Sequence, residues 1–160
     1  MGNPLYAIRL GNGPKEVCYS GSIHANEWIT SILLMKFIED YADAYASNTS
    51  LFGYSVRELF TTTSIYVIPM LNPDGVNLVT GAFSLENPVY PRVREMASRY
   101  PSIPFPSGWK ANIRGVDLNL QFPARWERAK QIKYAQGFTE PAPRDFVGYE
   151  PLSEPEARAL

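Results

Sequence analysis

The sequence predicts an α/β fold in which a mixed β-sheet is flanked by helices. Three features support this prediction: a β-rich opening, a long amphipathic segment after it, and an apolar, β-branched run that returns to the sheet. The opening combines the alternating segment LYAIRL (5–10), the turn GNGP (11–14) and the segment EVCYSGS that starts at Glu16, which together predict a β-hairpin. Within its second strand, Cys18 is expected to be buried.

The segment 30–46 repeats apolar residues at intervals of three and four, which predicts one face of an amphipathic helix. The residues of this face are Leu33, Leu34, Phe37, Ile38, Tyr41, Ala42 and Tyr45. A short helix is predicted over 56–60. The run TTTSIYVIPML (61–71) predicts a buried central strand that ends at the turn NPDG (72–75).

Proline dominates the second half, since ten of the 14 prolines lie between Pro88 and Pro155. The many large aromatic residues there predict ordered loops packed on the sheet rather than disorder. At the end, LSEPEARAL predicts the start of a helix, with Ser153 as N-cap and Glu156 completing a capping box. Because a single helical turn has little to stabilise it, we expect the chain to be truncated there.

Composition excludes several classes of partner. With 160 residues the chain is expected to form one domain, and a second complete domain is unexpected. Its 15 Lys and Arg balance 16 Asp and Glu without a basic run, which excludes nucleic acid as a partner. A single cysteine excludes an internal disulfide. No apolar stretch approaches the roughly 18 residues of a membrane span, so no membrane partner is expected.

His24, the only histidine, stands three positions before Glu27 in SGSIHANEWIT. Such a pair on the turn leaving a strand can place an imidazole nitrogen and a carboxylate on one divalent ion. The alternative is a histidine satisfied locally, beside a glutamate that favours a helix N-terminus.

Two further polar clusters lie downstream. NPDG follows a strand expected to run parallel to the strand before His24, and the carboxyl ends of such strands form ligand crevices. ANIRGVDLN (111–119) carries Asn112, Arg114, Asp117 and Asn119 among apolar or small residues. Each of these residues also has a local explanation, as a turn residue, a cap or a solvated charge.

The three segments GSIHANEWIT, LNPDGVNLV and GVDLNLQFP, in this order, resemble the zinc carboxypeptidase family. The resemblance implies a partial zinc carboxypeptidase fold and a Zn²⁺ cofactor bound by His24 and Glu27. It also implies that Asp117 accepts a hydrogen bond from the ligand His24, which fixes the imidazole tautomer. Substrates would be peptides.

Family carboxypeptidases follow the asparagine of GVDLN with an arginine that clamps the substrate's terminal carboxylate, whereas here Leu120 follows Asn119. WKANIRGVDLN and SIHANEWIT instead resemble the bacterial branch that cleaves the γ-D-glutamyl bond to diaminopimelic acid in cell-wall peptides. Asn119 and Arg114 are the expected substrate-binding residues. The alternatives are a metallocarboxypeptidase with altered C-terminal recognition and a non-catalytic binding module on the same fold.

The resemblance leaves two cations, Arg114 and Lys110, as candidate catalytic residues that stabilise the oxyanion, with Arg114 slightly preferred. In the intact enzyme, zinc would activate a water, and a glutamate would accept its proton. The family's third ligand, a histidine, and that glutamate lie beyond the helix that starts near Ser153, so residues 1–160 are expected to form an incomplete catalytic domain, inactive alone. Exposed surfaces of the fragment predict self-association. Location stays open between the bacterial cell envelope and the cytoplasm of a sporulating cell.

Overall fold

The computed structural model describes residues 2–83 and 85–160. The described residues cluster into two compact units. One, here called the sheet unit, comprises Leu5–Ser22 and Trp28–Leu71. The other, here called the loop unit, comprises the described residues of Met1–Pro4, Ile23–Glu27 and Asn72–Leu160. No described helix is long and apolar enough to cross a membrane.

The sheet unit contains a mixed three-stranded sheet, which confirms the predicted α/β class. Strands β1 (Ile8–Leu10) and β2 (Lys15–Ser20) flank β5 (Thr63–Ile68), which runs antiparallel to β1 and parallel to β2. The predicted hairpin is therefore wrong, because β5 separates its two strands. The segment after β1 instead passes over the residues that lead into β5, where Asn12 N–H donates to Phe60 O at 2.8 Å. A side chain at Gly13 would collide with the backbone there, so this passage requires glycine.

Helix α1 (Ile29–Ser47) follows the predicted segment closely and ends at Asn48, which adopts the left-handed conformation with φ 53°. Its buried residues Tyr41 and Ala44 pack with Val56 and with Ile65 and Val67 of β5. The predicted apolar face is only partly buried, since Leu33 is 68% exposed.

The remaining elements of the sheet unit are short. Strands β3 (Ser50–Leu51) and β4 (Tyr54–Ser55) form a two-stranded sheet. Helix α2 (Val56–Thr62) follows, capped by the Ser55 hydroxyl, which accepts the Glu58 N–H. All residues of β2 are exposed, so the prediction of a buried Cys18 is wrong. β2 is one of the two edge strands of the three-stranded sheet, and only β5 pairs with it.

The loop unit contains more helix than predicted. NPDG does not form an isolated turn but starts helix α3 (Pro73–Thr80), where the Asn72 side chain accepts the Gly75 N–H. Helices α4 (Tyr90–Ser98), α5 (Trp126–Ala135) and α6 (Pro155–Ala159) follow. The residue at the N-cap of α6 is Glu154 and no side chain caps this helix, so the predicted capping box is wrong.

The core of the loop unit forms around Trp109, which is fully buried with Val93 and Leu78. Aromatic residues anchor the described parts of the long segments between helices, whereas their predicted packing on the sheet stays a prediction. Tyr100 and Phe138, for example, stack with ring centroids 5.4 Å apart.

Candidate functional site

His24 lies in the loop unit on a short turn that a second segment holds in place. The residues after it form a 3₁₀ turn, Ala25–Glu27, in which Glu27 N–H donates to His24 O at 3.1 Å. Ala25 is fully buried, and its N–H donates to Lys110 O at 3.0 Å. This backbone bond fixes the turn against the segment that begins at Lys110.

The two imidazole nitrogens of His24 face different carboxylates. Nδ1 lies 3.1 Å from both oxygens of Glu27, and Nε2 lies 3.2 Å from Asp117 Oδ1. Both carboxylate oxygens of Asp117 accept backbone hydrogen bonds as well. Oδ1 accepts the Asn119 N–H at 3.3 Å, and Oδ2 accepts the Asp145 N–H at 3.1 Å. Each ring nitrogen of His24 thus faces a carboxylate, and in the tautomer that donates Nε2–H to Asp117 the lone pair of Nδ1 is the one available to a metal ion.

The site is electrostatically polarised. The hydrogen bond to Asp117 is the main reason that the pKa of His24 lies above its ordinary value, although burial opposes it. Burial raises the pKa of Glu27, but the hydrogen bond from Lys110 and the neighbouring His24 outweigh it and leave that pKa below its ordinary value. Glu27 is thus held as a carboxylate, which is the form a metal ion requires.

His24 Nδ1 and Glu27 fit a divalent ion in donor type and spacing. Zinc accepts a histidine nitrogen and a carboxylate oxygen, and two ligands about 2.1 Å from one tetrahedral ion lie about 3.4 Å apart. The observed 3.1 Å between Nδ1 and the Glu27 oxygens is close to that separation. Within the described ranges, 2–83 and 85–160, no group of three or more His, Cys, Asp or Glu side chains could hold a metal. In donor type and spacing, His24 and Glu27 match two ligands of such a site.

Asn112 organises the loop that carries the remaining candidates. It is fully buried, and its Oδ1 accepts the N–H groups of Arg114 (3.0 Å) and Val116 (3.1 Å). Its Nδ2 donates to Glu154 Oε2 at 2.8 Å. Because Asp117 directly follows Val116, the conformation set by Asn112 determines where the Asp117 carboxylate lies.

The structure brings together four of the six residues that sequence reasoning selected for the site: His24, Glu27, Asp117 and Lys110. Lys110 Nζ lies 3.2 Å from Glu27 Oε1. Arg114 instead lies beside the buried carboxylate of Glu154, with Nε 3.4 Å from Oε2, and its side chain is 62% exposed. Asn119 contacts this group through its backbone N–H, which donates to Asp117.

Comparison with known proteins identifies the family. The sequence profile described as zinc carboxypeptidase matches residues 1–160. The chain belongs to the zinc carboxypeptidase family. A solved structure of thrombin activatable fibrinolysis inhibitor aligns with a TM-score of 0.63 at 19% identity, covering 98% of this chain and 34% of that one, which confirms the carboxypeptidase fold.

Two bacterial proteins are more similar to this chain in sequence. A gamma-D-glutamyl-L-diamino acid endopeptidase 1 of Lysinibacillus sphaericus is 42% identical over 160 residues, which are 100% of this chain and 39% of that protein. An uncharacterised protein of Bacillus subtilis is 38% identical over 162 residues, covering 41% of its length. The chain thus spans about two fifths of the length of these relatives.

Two contributors to the site were missed by sequence reasoning. Asp145 donates its N–H to Asp117, and Glu154 is the buried acceptor of Asn112. Asp145 lies in a proline-rich segment without periodicity, so no local signal marks it. Local sequence marks Glu154 only as part of a helix start, and the motifs GSIHANEWIT, LNPDGVNLV and GVDLNLQFP include neither Asp145 nor Glu154.

Proposed function

We propose that this chain is part of a zinc-dependent peptidase that hydrolyses γ-D-glutamyl-diamino acid bonds in cell-wall peptides. The observation that supports this most is the position of His24 between two carboxylates, with Nδ1 3.1 Å from Glu27 and Nε2 3.2 Å from Asp117 Oδ1. The 42% identical relative supports the bond type, since its name specifies a gamma-D-glutamyl-L-diamino acid linkage. Leu120, in place of a carboxylate-clamping arginine, also favours a substrate other than an ordinary peptide C-terminus.

In this proposal His24 Nδ1 and Glu27 hold the metal, and Asp117 fixes the tautomer that makes Nδ1 a ligand. Zinc, when bound, supplies Lewis acidity toward a substrate carbonyl and lowers the pKa of a water. Lys110 is the better placed of the two candidate cations to face a developing oxyanion, because it lies 3.2 Å from the ligand Glu27. Arg114 neutralises Glu154 instead. Asn119, whose side chain is exposed, remains the proposed substrate-binding residue.

We also propose that residues 1–160 form an incomplete catalytic domain and do not turn over substrate alone. Catalytic zinc sites of this type use three protein ligands, and the described residues offer two. Zinc should therefore bind the chain weakly, in contrast to a form extended beyond Leu160 that supplies a third ligand.

Zinc binding tests the proposal directly. Isothermal titration is performed on the chain, on the extended form, and on E27Q in both, with E39Q as a matched control because Glu39 is exposed on α1. We expect tight one-to-one binding only in the extended form, lost in E27Q and kept in E39Q. Weak binding in both forms, or tight binding unaffected by E27Q, would refute the metal site.

The substrate class is tested on the extended, zinc-loaded form with three peptides. These are L-alanyl-γ-D-glutamyl-meso-diaminopimelate, an α-linked peptide with a free C-terminus, and the same α-linked peptide amidated. Preference for the γ-glutamyl peptide supports the endopeptidase assignment. Cleavage of only the free α-linked peptide favours a metallocarboxypeptidase, and cleavage of none favours a binding module on this fold.

A further inference from the structure

We propose that Arg144 is a specificity-determining residue that binds a free carboxylate of the substrate. The inference rests on the proposed function, because it concerns the substrate of the same site. It starts from Leu120, which supplies no charge where family carboxypeptidases carry a carboxylate-binding arginine. A substrate with free carboxylates then needs a cation from another part of the loop unit.

The backbone on both sides of Arg144 is bonded to residues of the site. Pro143 O accepts the N–H groups of Lys110 at 2.8 Å and Ala111 at 2.9 Å. Asp145 N–H donates to Asp117 Oδ2 at 3.1 Å, and the other oxygen of Asp117 faces His24. The backbone on both sides of Arg144 is therefore tied to residues of the candidate site, which places Arg144 next to it in the loop unit.

Asp145 adopts an unusual backbone conformation next to this arginine. Its φ is 67°, in the left-handed region that residues other than glycine seldom occupy, and such residues concentrate at functional sites. Its carboxylate is shared by two cations, with Oδ1 2.5 Å from Lys133 Nζ and Oδ2 2.8 Å from Arg144 Nε. The second contact orients the guanidinium of Arg144 through Nε alone.

Arg144 has donors to spare close to the site. Lys110 pairs with Glu27, and Arg114 contacts Glu154 only through Nε, at 3.4 Å. The terminal amino groups of Arg144 likewise contact no hydrogen-bond or ion-pair partner among the described residues, but its Nε is held more firmly, at 2.8 Å from Asp145, and its side chain is 40% exposed. A guanidinium held by Nε presents its two terminal amino groups together, which is the geometry that binds a carboxylate through both oxygens.

The proposed substrate class supplies such a carboxylate. A γ-linked glutamyl residue keeps its α-carboxylate free close to the scissile bond, whereas an α-linked residue at that position has none. The diamino acid carries free carboxylates as well. Both sources share one chemistry, a substrate carboxylate recognised by Arg144, and the test distinguishes them.

Binding is measured by NMR titration of the chain itself, since the assay requires no turnover. The probe is L-alanyl-γ-D-glutamyl-meso-diaminopimelate, compared with its glutamyl α-carboxamide, with an analogue amidated on the diaminopimelate carboxyls, and with an α-linked peptide of the same net charge. The variants are R144Q, R144K and the matched control R128Q, which removes an exposed arginine of α5.

We expect saturable binding of the probe with a shift of the Arg144 Nε–H resonance, and a loss of about 10- to 100-fold in affinity for R144Q, the usual effect of removing a hydrogen bond to a charged group. R144K should lose less, and R128Q should match the wild type. The analogue that binds wild type and R144Q equally identifies which carboxylate Arg144 contacts.

Equal affinity of wild type and R144Q for the probe, or no saturable binding to the wild type, would overturn the inference. Failure of the proposed function gives a different pattern. In that case the α-linked peptide binds as tightly as the probe and remains sensitive to R144Q, so carboxylate recognition stands while γ-glutamyl specificity falls.

Discussion

Replacing Asp117 with asparagine tests the central contact of the site in the metal-free chain. D117N keeps the shape of the side chain but removes the charge opposite His24 Nε2, which lies 3.2 Å away. D117N also replaces one carboxylate oxygen with an amide nitrogen, which cannot accept a hydrogen bond. One of the backbone N–H groups of Asn119 and Asp145, which each donate to an Asp117 oxygen, therefore loses its acceptor. Both His24 and Asp117 are largely buried, so water cannot fully compensate for these losses.

The magnitude depends on pH. Because the folded-state pKa of His24 is raised above 6.5, its bond to Asp117 contributes its full stability below 6.5, and this contribution is lost as pH rises through the folded-state pKa. A hydrogen bond between charged groups contributes about 1.5–3 kcal/mol, so D117N should lower the free energy of unfolding by this amount near pH 6. Near pH 9 we expect about 1 kcal/mol, the value of an ordinary hydrogen bond.

Urea unfolding at both pH values measures the free energies, and NMR titration of the imidazole measures the pKa without ambiguity, because His24 is the only histidine. D43N, which alters an exposed aspartate of α1, is the control. We expect the pKa of His24 to fall in D117N and to stay unchanged in D43N. A destabilisation that is equal at both pH values, with an unshifted pKa, would refute this account of the site.

Three further predictions concern the surroundings of the site and the chain surface. N112A should lower the free energy of unfolding by about 3 kcal/mol in urea titrations, because it deprives buried Glu154 of a donor and two backbone N–H groups of their acceptor; a change below about 1 kcal/mol would contradict the role of Asn112. E156Q should stabilise the chain at neutral pH, since burial and nearby carboxylates raise the pKa of Glu156, and the gain should shrink as pH falls toward 4.5; thermal melts across this range should therefore converge at acid pH, and parallel curves would argue against it. Leu33 is 68% exposed on α1, so L33K should reduce the self-association that we expect in size-exclusion chromatography, and a wild-type chain that elutes only as a monomer would contradict that expectation.

The fold was predictable where the signal is local. The three-and-four periodicity placed α1 to within a residue at each end, because a helix is defined by neighbours on the same segment. The hairpin failed for the opposite reason. β1 and β2 are adjacent in sequence, but their partner is β5, and a short alternating segment carries no information about which distant strand pairs with it. The exposure of Cys18 follows from the same cause, since edge or central position depends on strand order.

The residues of the candidate site also differ in whether local sequence could identify them. The spacing of His24 and Glu27 is local, and it predicted their approach. Asp117 came from the resemblance to the zinc carboxypeptidase family, because nothing in GVDLN itself indicates a histidine partner 93 positions away. Asp145 and Glu154 contact the site or its loop only through tertiary packing, so neither periodicity nor motif could identify them. The sequence-based preference for Arg114 stays a prediction, whereas the structure favours Lys110 in our proposal because Arg114 is paired with Glu154, so Lys110 is the residue to test first.

The position of β5 between β1 and β2 also determines when this sheet can assemble. The register pairs Lys15 with Thr63, 48 positions along the chain, and β1 pairs with β5 at still greater separation. No two strands of this sheet can therefore pair until β5 is available, and closing such long loops is slow. During synthesis β1 and β2 leave the ribosome before β5 and stay unpaired until β5 follows. Helix α1 can form in the meantime from its own local contacts. During that interval the backbone N–H and C=O groups of β2 that later pair with β5 are open to pairing with other nascent chains.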